Sequence, residues 1–513
     1  MTTSFFYHQT TSYDRHDMSA HALDWEHQPV PYKMYPGIQP VPLPEIRGLY
    51  PGTLGHAAGI EGISPSGRAL DMEDLSKILY LANGLTGKAR QGGADFYFRS
   101  APSAGALYPN EIYLVWPGGG DPAPGVYHCG IHNRSLIPLR QGNFVPLFRA
   151  PAEVEPSDPI AVFVISGIFF RSAWKYRARA YRYVLMDAGH VMESLRLAIR
   201  AAGFSCRLSF AFDDAAVNLL LGLDPEREAG IGCVYVYGSG KNKESATPDA
   251  PPNIKMNPLP ESIREACKTS GREIRYKEIL DIHRAGFDMV APIGPPADMM
   301  DCLGVSHFPF GQIRFPKGLN VAEAHEKQPL SYAHAVYTRR SRRNFVPQPM
   351  GRDELAYMLD LVCRASDASM DGDHGYASPI AVGLLAGNVD GMAPGFYLID
   401  TRKRRLHRVF EGHVTGEMAT VCLDQRWLVS AGAHFLFMTN PEVLDRQWSA
   451  RGYRYAMLTA GRLGHAVYLG ATALGLGACG IGAIYDGEAR RLLGLNPASA
   501  LVYVVAAGAV KGN

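Results

Sequence analysis

The sequence has few cysteines, and none of them stands in a paired spacing. Eight occur among 513 residues, and no two form a Cys-x-x-Cys pair. This distribution argues against a zinc ribbon and a disulfide framework, and it is typical of a protein in a reducing cytoplasm. Five histidines lie in residues 1–58, at positions 8, 16, 21, 27 and 56. Their spacing matches no ligand pattern, so we expect a solvated segment and no metal site.

The chain also lacks an excess of charge of either sign. It has 51 Lys and Arg residues against 49 Asp and Glu residues, which gives a formal net charge of +2. Nucleic-acid and membrane-surface partners usually require a basic excess, so we expect neither. No basic stretch followed by an apolar one opens the sequence, so no signal peptide is expected.

One uncharged run, residues 466–484, is long enough to span a bilayer. Several glycines interrupt it, and the Gly-Leu-Gly at residues 475–477 would break a helix. We therefore predict a buried helix, a turn and a strand of a globular core.

A chain of 513 residues is too long for one hydrophobic core. Four parts are predicted: an N-terminal arm at 1–58, a first domain at 59–240, a linker and bridging segment at 241–335, and a second domain at 336–513. The first domain should begin with a helix near Leu70 that Asp71 caps, because apolar residues recur there every three or four positions. The bridging segment should contain a charged helix near 261–284.

The second domain repeats the first. The stretch from Tyr181 to Gly189 recurs from Tyr453 to Gly461, and Gly-Leu-Asp-Pro at 222–225 recurs as Gly-Leu-Asn-Pro at 494–497. Both pairs have the same separation, 453 − 181 = 494 − 222 = 272 residues. We infer a fused tandem of one α+β domain that folds as an intramolecular pseudo-dimer, with further oligomerisation left open.

Two stretches have compositions that suit a ligand. Small residues at 102–107 allow a backbone to approach a flat ligand closely, although an ordinary turn before a strand is the alternative. The run Arg-Arg-Ser-Arg-Arg at 339–343 combines four guanidinium groups with a hydroxyl, which suits a phosphate. A solvated basic surface is the alternative for this run.

Each half retains the stretch that the other has lost. Opposite the basic run, the first half has Gly-Ile-Glu-Gly-Ile at 59–63, which has no cation. Opposite the small-residue stretch, the second half has an unrelated sequence at 373–379. A site that takes one stretch from each half would be complete once per chain.

With these motifs the chain resembles flavin-dependent nitroreductase-like proteins, and specifically the SagB/ThcOx-type dehydrogenases. Residues 100–109 are similar to the signature of that subfamily, and residues 339–345 look like the general FMN motif of the fold. The arm sequence Asp-Trp-Glu-His-Gln-Pro at 24–29 looks like the leader of tandem members. The resemblance implies an antiparallel-rich sheet flanked by helices, with FMN bound at a dimer interface by phosphate and loop motifs of opposite subunits.

The resemblance also implies roles for particular residues. Pro102, Ser103, Ala104, Gly105, Ala106 and Leu107 would lie along the isoalloxazine ring. The phosphate, the ribityl chain and the pyrimidine edge would contact Arg339, Arg340, Ser341 and Arg343. A turn at Gly480, Ile481 and Gly482 would donate a backbone N–H to the flavin N5 edge. Lys511 would be a further phosphate contact, with a solvated terminal lysine as the alternative.

The catalytic pair that the resemblance implies is Lys175 and Tyr176. A tyrosine beside an ammonium could accept the substrate proton, because the positive charge lowers the tyrosine pKa. The second half has Gln447 and Trp448 at the matching positions. An unremarkable lysine and aromatic residue at a helix entrance is the alternative. His190 and Cys479 are expected to be packed core residues, with a proton shuttle as the alternative for His190 and a position near the flavin as the alternative for Cys479.

These features predict an FMN-dependent dehydrogenase that oxidises a peptide-derived or small heterocyclic substrate, of the azoline-to-azole type. An NAD(P)H-dependent nitro- or quinone reductase is one alternative. The other is a non-catalytic flavin-binding subunit of a peptide-modifying complex.

Overall fold

The computed structural model describes residues 3–18, 21–59, 68–91, 94–118, 121–148, 158–238, 256–287, 297–312, 330–368 and 378–511. The chain forms two compact units. Unit N consists of Leu23–Tyr50 and Gly62–Leu280, and unit C of Met1–Ala22, Pro51–Glu61 and Asp281–Asn513.

Helices and strands are numbered in chain order. The helices are α1 Ser4–Thr10, α2 Leu54–Ala58, α3 Met72–Asn83, α4 Phe169–Tyr176, α5 Ala180–Ala201, α6 Asp214–Leu221, α7 Glu261–Glu265, α8 Lys277–Ala285, α9 Tyr332–Thr338, α10 Arg352–Asp367, α11 Thr415–Val421, α12 Pro441–Trp448, α13 Arg451–Ala473 and α14 Asp486–Leu492. The strands are β1 Val41–Pro42, β2 Leu85–Gln91, β3 Ala94–Arg99, β4 Asn110–Trp116, β5 Gly125–Gly130, β6 Ser135–Gln141, β7 Ala161–Ile168, β8 Ser205–Ser209, β9 Glu228–Tyr237, β10 Phe308–Gln312, β11 Ala381–Ala386, β12 Gly395–Asp400, β13 Arg405–Glu411, β14 Ala433–Thr439, β15 Gly477–Ile481 and β16 Ala500–Gly508.

Each unit contains a seven-stranded antiparallel sheet. The order in unit N is β1-β6-β5-β4-β7-β9-β8, and the order in unit C is β10-β13-β12-β11-β14-β16-β15. The two orders agree position by position. The helices α4 and α12 are also separated by 441 − 169 = 272 residues. The predicted duplication of one α+β fold is therefore confirmed. Strands β2 and β3 form a separate hairpin in unit N.

One long helix packs on each sheet. In unit N the helix α5 is buried from Ala180 to Ile199. An ideal Cβ on Gly167 of β7 would lie 2.5 Å from Val184 of α5, so only glycine allows this close approach. In unit C, α13 has the same place, and the predicted helix, turn and strand over 466–484 are confirmed by α13 and β15. No helix in the described part of the chain is long and apolar enough to cross a membrane.

The helix α3 begins with the predicted cap. The Asp71 side chain accepts a hydrogen bond from the Asp74 N–H, and the Asp74 side chain accepts one from the Asp71 N–H. This reciprocal capping satisfies two donors at the start of α3.

The prediction of a single charged helix near 261–284 is wrong. Two short helices, α7 and α8, lie there with an irregular segment between them. In that segment the Thr269 N–H donates to Glu273 Oε1 at 2.6 Å, and the Thr269 carbonyl accepts the Val30 N–H at 2.8 Å. These contacts replace the bonds that a continuous helix would make.

The arm is divided between the units and is not uniformly solvated. His8 of α1 is 2% exposed, and its Nδ1 lies 3.1 Å from the Tyr453 hydroxyl in unit C. In unit N the Lys33 ammonium is fully buried against Glu228, 2.9 Å from the Tyr113 hydroxyl. Burial alone would lower the pKa of Lys33, but the Glu228 carboxylate raises it well above the ordinary value. The expectation of a solvated arm is therefore wrong for both segments.

Candidate functional site

The small-residue loop, residues 102–107, forms a tight turn at the start of β4 in unit N. Gly105, Ala106 and the following Tyr108 have φ values of 63°, 54° and 48°. This left-handed conformation costs residues other than glycine roughly 1–2 kcal/mol each. The contacts around the loop must offset that cost at Ala106 and Tyr108.

Asp187 of α5 provides such contacts. The Ser103 hydroxyl donates to Asp187 Oδ2 at 2.5 Å, and the Ala104 N–H donates to Oδ1 at 3.1 Å. The Tyr108 N–H in turn donates to Ser103 Oγ at 2.9 Å. Burial raises the pKa of Asp187 to about 7, against the lowering effect of the bonds from Ser103 and Ala104.

Lys175 and Tyr176 form the end of α4 beside this loop. An ideal Cβ on Gly105 would lie 2.6 Å from the Tyr176 hydroxyl and 3.3 Å from Lys175 Nζ. The Lys175 Nζ lies 5.4 Å from the centroid of the Tyr176 ring, and the Tyr176 and Tyr183 ring centroids are 4.5 Å apart. The structure therefore brings the predicted catalytic pair to the predicted ligand loop.

The basic run lies in unit C, after α9. Ser341 and Arg343 are exposed, whereas Arg339 is 3% exposed and its guanidinium lies 5.6 Å from the centroid of the Tyr468 ring. Arg340 Nη1 donates to the Tyr337 carbonyl at 3.0 Å, at the C-terminus of α9. The four predicted contacts thus differ in accessibility, and Ser341 and Arg343 are the most accessible to a phosphate.

The glycine-containing strand β15 lies next to the basic run. Ser341 pairs with Ala478 of β15, and the Arg342 N–H donates to the Ala478 carbonyl at 2.9 Å. The exposed Lys511 is tied to the same run, because its N–H donates to the Asn344 carbonyl at 3.1 Å. Unit C therefore gathers the basic run, β15 and Lys511 in one place.

Tyr468 of α13 connects these elements. Its hydroxyl lies 3.0 Å from Ser341 Oγ and accepts the Gly480 N–H at 2.5 Å. Tyr468 is 2% exposed, and burial raises its pKa. It therefore links the strand and the basic run through one side chain.

The prediction of a turn at residues 480–482 is wrong for the first two residues. Gly480 and Ile481 lie in β15, and only Gly482 follows the strand. A Cβ on Gly480 would overlap the Tyr503 hydroxyl, so packing also requires glycine there. The Gly480 N–H, the predicted donor to a ligand, donates to Tyr468 in this structure.

Sequence reasoning missed Asp187 and Tyr468. The repeat contained a usable signal, because the matching residues in the other half, Thr459 and Arg196, have different chemistry. His190 and Cys479 are each 2% exposed, as expected for core residues. Burial raises the pKa of the Cys479 thiol, against the effect of a hydrogen bond with Arg343.

Two segments used to compare the halves, residues 60–63 and 373–377, lie outside the described residues. Over the ranges that are described, no three His, Cys, Asp or Glu side chains are grouped as a metal site would require.

In each unit by itself, the described residues fit one part of FMN. The exposed Arg343, Ser341 and Lys511 are suitable donors to a phosphate. Gly105 is exposed on a loop that leaves no room for a side chain beside Tyr176, which suits close approach of a flat ring system.

Comparison with known proteins identifies the domains. Residues 147–239 and 398–509 match the profile of the family described as Nitroreductase family. A nitroreductase-named protein of Methanocaldococcus jannaschii is 29% identical over 158 residues, which is 30% of this chain and 80% of its own length. The predicted family resemblance is confirmed.

Two further relatives carry names of peptide-processing proteins. The trifolitoxin-processing protein TfxB of Rhizobium leguminosarum bv. trifolii is 27% identical over 185 residues, covering 34% of this chain and 49% of TfxB. The microcin B17-processing protein McbC of Escherichia coli is 29% identical over 144 residues, covering 26% of this chain and 52% of McbC. The chain thus spans about half the length of these two relatives.

A solved structure matches the whole chain. The crystal structure of a nitroreductase-named protein from Anabaena variabilis superposes with a TM-score of 0.76 and covers 100% of both chains at 24% identity. This match shows a shared fold.

Proposed function

The chain is an oxidoreductase of the nitroreductase superfamily with two copies of the family's domain, and we propose that it is an FMN-dependent dehydrogenase with one site per chain. The substrate would be peptide-derived or a small heterocycle, oxidised from azoline to azole. The observation that carries this proposal is the position of Tyr176 and Lys175 against the small-residue loop.

Oxidation of a carbon beside nitrogen requires removal of a hydride and a proton. Bound FMN would supply the two-electron acceptor for the hydride. The Tyr176 phenolate is the proposed proton acceptor, and it becomes the neutral phenol when it takes the substrate proton. The Lys175 ammonium would stabilise the phenolate before this transfer. Because both side chains lie beside Gly105, a substrate over the loop would be within their reach.

The cofactor would be held by residues from both halves of the chain. Arg339, Arg340, Ser341, Arg343 and Lys511 would contact the phosphate and the adjacent polar groups. Pro102–Leu107 would lie along the ring, with Gly480, Ile481 and Gly482 near its N5 edge. The support for one shared site is the complementary loss of the two motifs in the two halves.

A peptide-derived substrate is favoured by the names of two relatives, which process trifolitoxin and microcin B17. A cytoplasmic location is proposed because the eight cysteines are dispersed along the sequence without a Cys-x-x-Cys pair. No nucleic-acid or membrane partner is proposed, since the net charge is only +2.

A second candidate is an NAD(P)H-dependent reductase. The observation that favours it is the nitroreductase name of the M. jannaschii relative. Rapid bleaching of the bound flavin by NADPH would support this reductase over the dehydrogenase.

Flavin quantitation by visible spectroscopy tests the proposal. We expect about one FMN per chain, as the one-site arrangement requires. Arg343→Ala and Gly105→Trp should each abolish binding, although they lie in different halves. Two FMN per chain would refute the one-site proposal, and a reconstituted protein without flavin would refute the function. Full flavin binding without turnover of azoline peptides or reductase substrates would support a non-catalytic subunit.

A further inference from the structure

We propose that Asp187 is the positioning residue of the small-residue loop: its buried carboxyl group sets the conformation in which Gly105 meets both the cofactor and Tyr176. This inference rests on the proposed function, because it assigns the loop to FMN. The hydrogen bonds of Asp187 in the described structure go to Ser103 and Ala104, so its effect would pass through these two residues.

The environment of Asp187 requires polar partners. It lies within α5 and is 5% exposed, between the buried Met186 and Ala188. A carboxyl group in such a place is unfavourable unless hydrogen bonds replace its lost water. In the described structure those bonds come from the loop, through the Ser103 hydroxyl and the Ala104 N–H.

The conformation of the loop in turn requires stabilising contacts. Ala106 and Tyr108 adopt left-handed φ values, which the chain does not favour on its own. Ser103 connects Asp187 to this part of the loop, because its Oγ accepts the Tyr108 N–H at 2.9 Å. The Ser103 carbonyl also accepts the Ala106 N–H at 3.0 Å. Loss of the carboxyl group would therefore free the conformation of the residues on both sides of Gly105.

The duplication provides an independent observation. The residue that matches Asp187 in the second half is Thr459, at the same separation of 459 − 187 = 272. Thr459 is 1% exposed, so the position is buried in both halves. The half without the small-residue sequence thus also lacks the carboxyl group, which associates Asp187 with the loop rather than with the helix.

The test measures FMN affinity of the apo-protein by quenching of flavin fluorescence. Asp187→Ala should weaken binding at least about 10-fold. Asp187→Asn should recover part of the loss, because its amide oxygen can still accept the Ala104 N–H. The matched control Thr459→Ala should leave the affinity unchanged.

A double-mutant cycle separates positioning from general destabilisation. Ser103→Ala should weaken FMN binding. The loss in Ser103→Ala/Asp187→Ala should be smaller than the sum of the two single losses, because both changes remove the same Ser103–Asp187 hydrogen bond. Additive losses, or unchanged affinity in Asp187→Ala, would overturn the inference. Ser103→Ala and Asp187→Asn keep the test valid if Asp187→Ala does not fold.

Hydrogen exchange of the flavin-free protein distinguishes this inference from the proposed function. The amides of residues 100–109 should exchange faster in Asp187→Asn than in wild type. If they do so while wild type binds no FMN, the positioning role stands and the flavin assignment fails. If they exchange equally in the two proteins, the positioning role fails whatever the flavin result.

Discussion

The Tyr176 hydroxyl occupies the space beside Gly105 that a side chain would need. An ideal Cβ on residue 105 would lie 2.6 Å from that oxygen, closer than real Cβ contacts. Gly105 also has a φ of 63°. The glycine is therefore required twice, for its backbone conformation and for the position of Tyr176.

Substitution of Gly105 separates these two requirements. Gly105→Ala should lower kcat by up to about 100-fold, because the methyl group displaces the Tyr176 hydroxyl. The matched control is Gly391→Ala, with a φ of 65° and no atom within 4 Å of its ideal Cβ. It carries the same backbone strain without the contact, so its kcat should be unchanged. Equal effects in steady-state assays of both variants would contradict the role assigned to the Gly105 contact.

Removal of the catalytic pair should affect turnover more than cofactor binding. Tyr176→Phe should lower kcat by about 10²–10⁴-fold, since general base catalysis contributes that much. Lys175→Ala should lower it less, because the ammonium stabilises the base without accepting the proton. FMN content should stay near the wild-type value in both.

The repeat supplies controls for this pair, Gln447→Ala and Trp448→Phe, at the matching helix end. Neither should reduce kcat. Wild-type turnover in Tyr176→Phe would contradict the assignment of the base.

Tyr468→Phe should lower the stability of unit C and its affinity for the ligand. The lost hydroxyl leaves the Gly480 N–H without its acceptor and removes a partner of Ser341. A buried unsatisfied group costs about 1–3 kcal/mol, so the midpoint of thermal unfolding should fall and the FMN dissociation constant should rise. Tyr397→Phe is the control, because its hydroxyl bonds only the Ala393 carbonyl at 2.8 Å in the described structure. If the FMN dissociation constant rose equally in Tyr468→Phe and Tyr397→Phe, Tyr468 would have no specific role in the ligand site.

Asp187 should give stability a characteristic pH dependence. Its pKa is raised from 3.8 to about 7 in the folded protein, so the native state binds the proton more tightly than the unfolded chain does. The resulting stabilisation is complete below pH 3.8 and is lost as the pH rises through about 7.

The difference in unfolding temperature between wild type and Asp187→Asn isolates this effect. That difference should shift against wild type as the pH rises from about 4 to about 7. The groups facing Asp187 that alter its pKa are the Ser103 hydroxyl and the Ala104 N–H, and neither titrates in this range. Other carboxylates, such as Glu111 with its lowered pKa, are present in both proteins and cancel. A difference in unfolding temperature that is independent of pH would show that the pKa of Asp187 is not raised.

The sequence predicted much of this architecture, because duplication is readable without structure. A constant separation of 272 residues identified two copies of one domain, and the sheet orders agree with it. Composition likewise identified the small-residue loop and the basic run, since close backbone approach and phosphate binding each require particular residue types.

The stabilising contacts of the site were not predictable in the same way. Asp187 is 84 residues from Ser103, and Tyr468 is 127 residues from Ser341. The sequence pattern predicts only that Asp187 and Tyr468 belong to buried helices. Their roles depend on which polar groups the fold places beside them, and neither periodicity nor composition encodes that.

The bridging segment shows a different limit. Charged and apolar residues near 261–284 satisfy a helical pattern. The Thr269 N–H, however, donates to Glu273, and the Thr269 carbonyl accepts the Val30 N–H. Tertiary contacts overrode local propensity there.

The segment from Ser4 to Tyr13 is held by residues far from it in the sequence. The N–H groups of Ser4 and Phe5 donate to Asp445, 441 and 440 residues away, and the Tyr13 N–H donates to Asp486. During translation, therefore, Ser4 and Phe5 are made at least 440 residues before their partner Asp445. A gene fragment that ends after the first domain would encode this segment without its partners, and one that begins at the second domain would leave Asp445 without its donors. A cut between the two copies would therefore separate these N–H donors from Asp445 and Asp486.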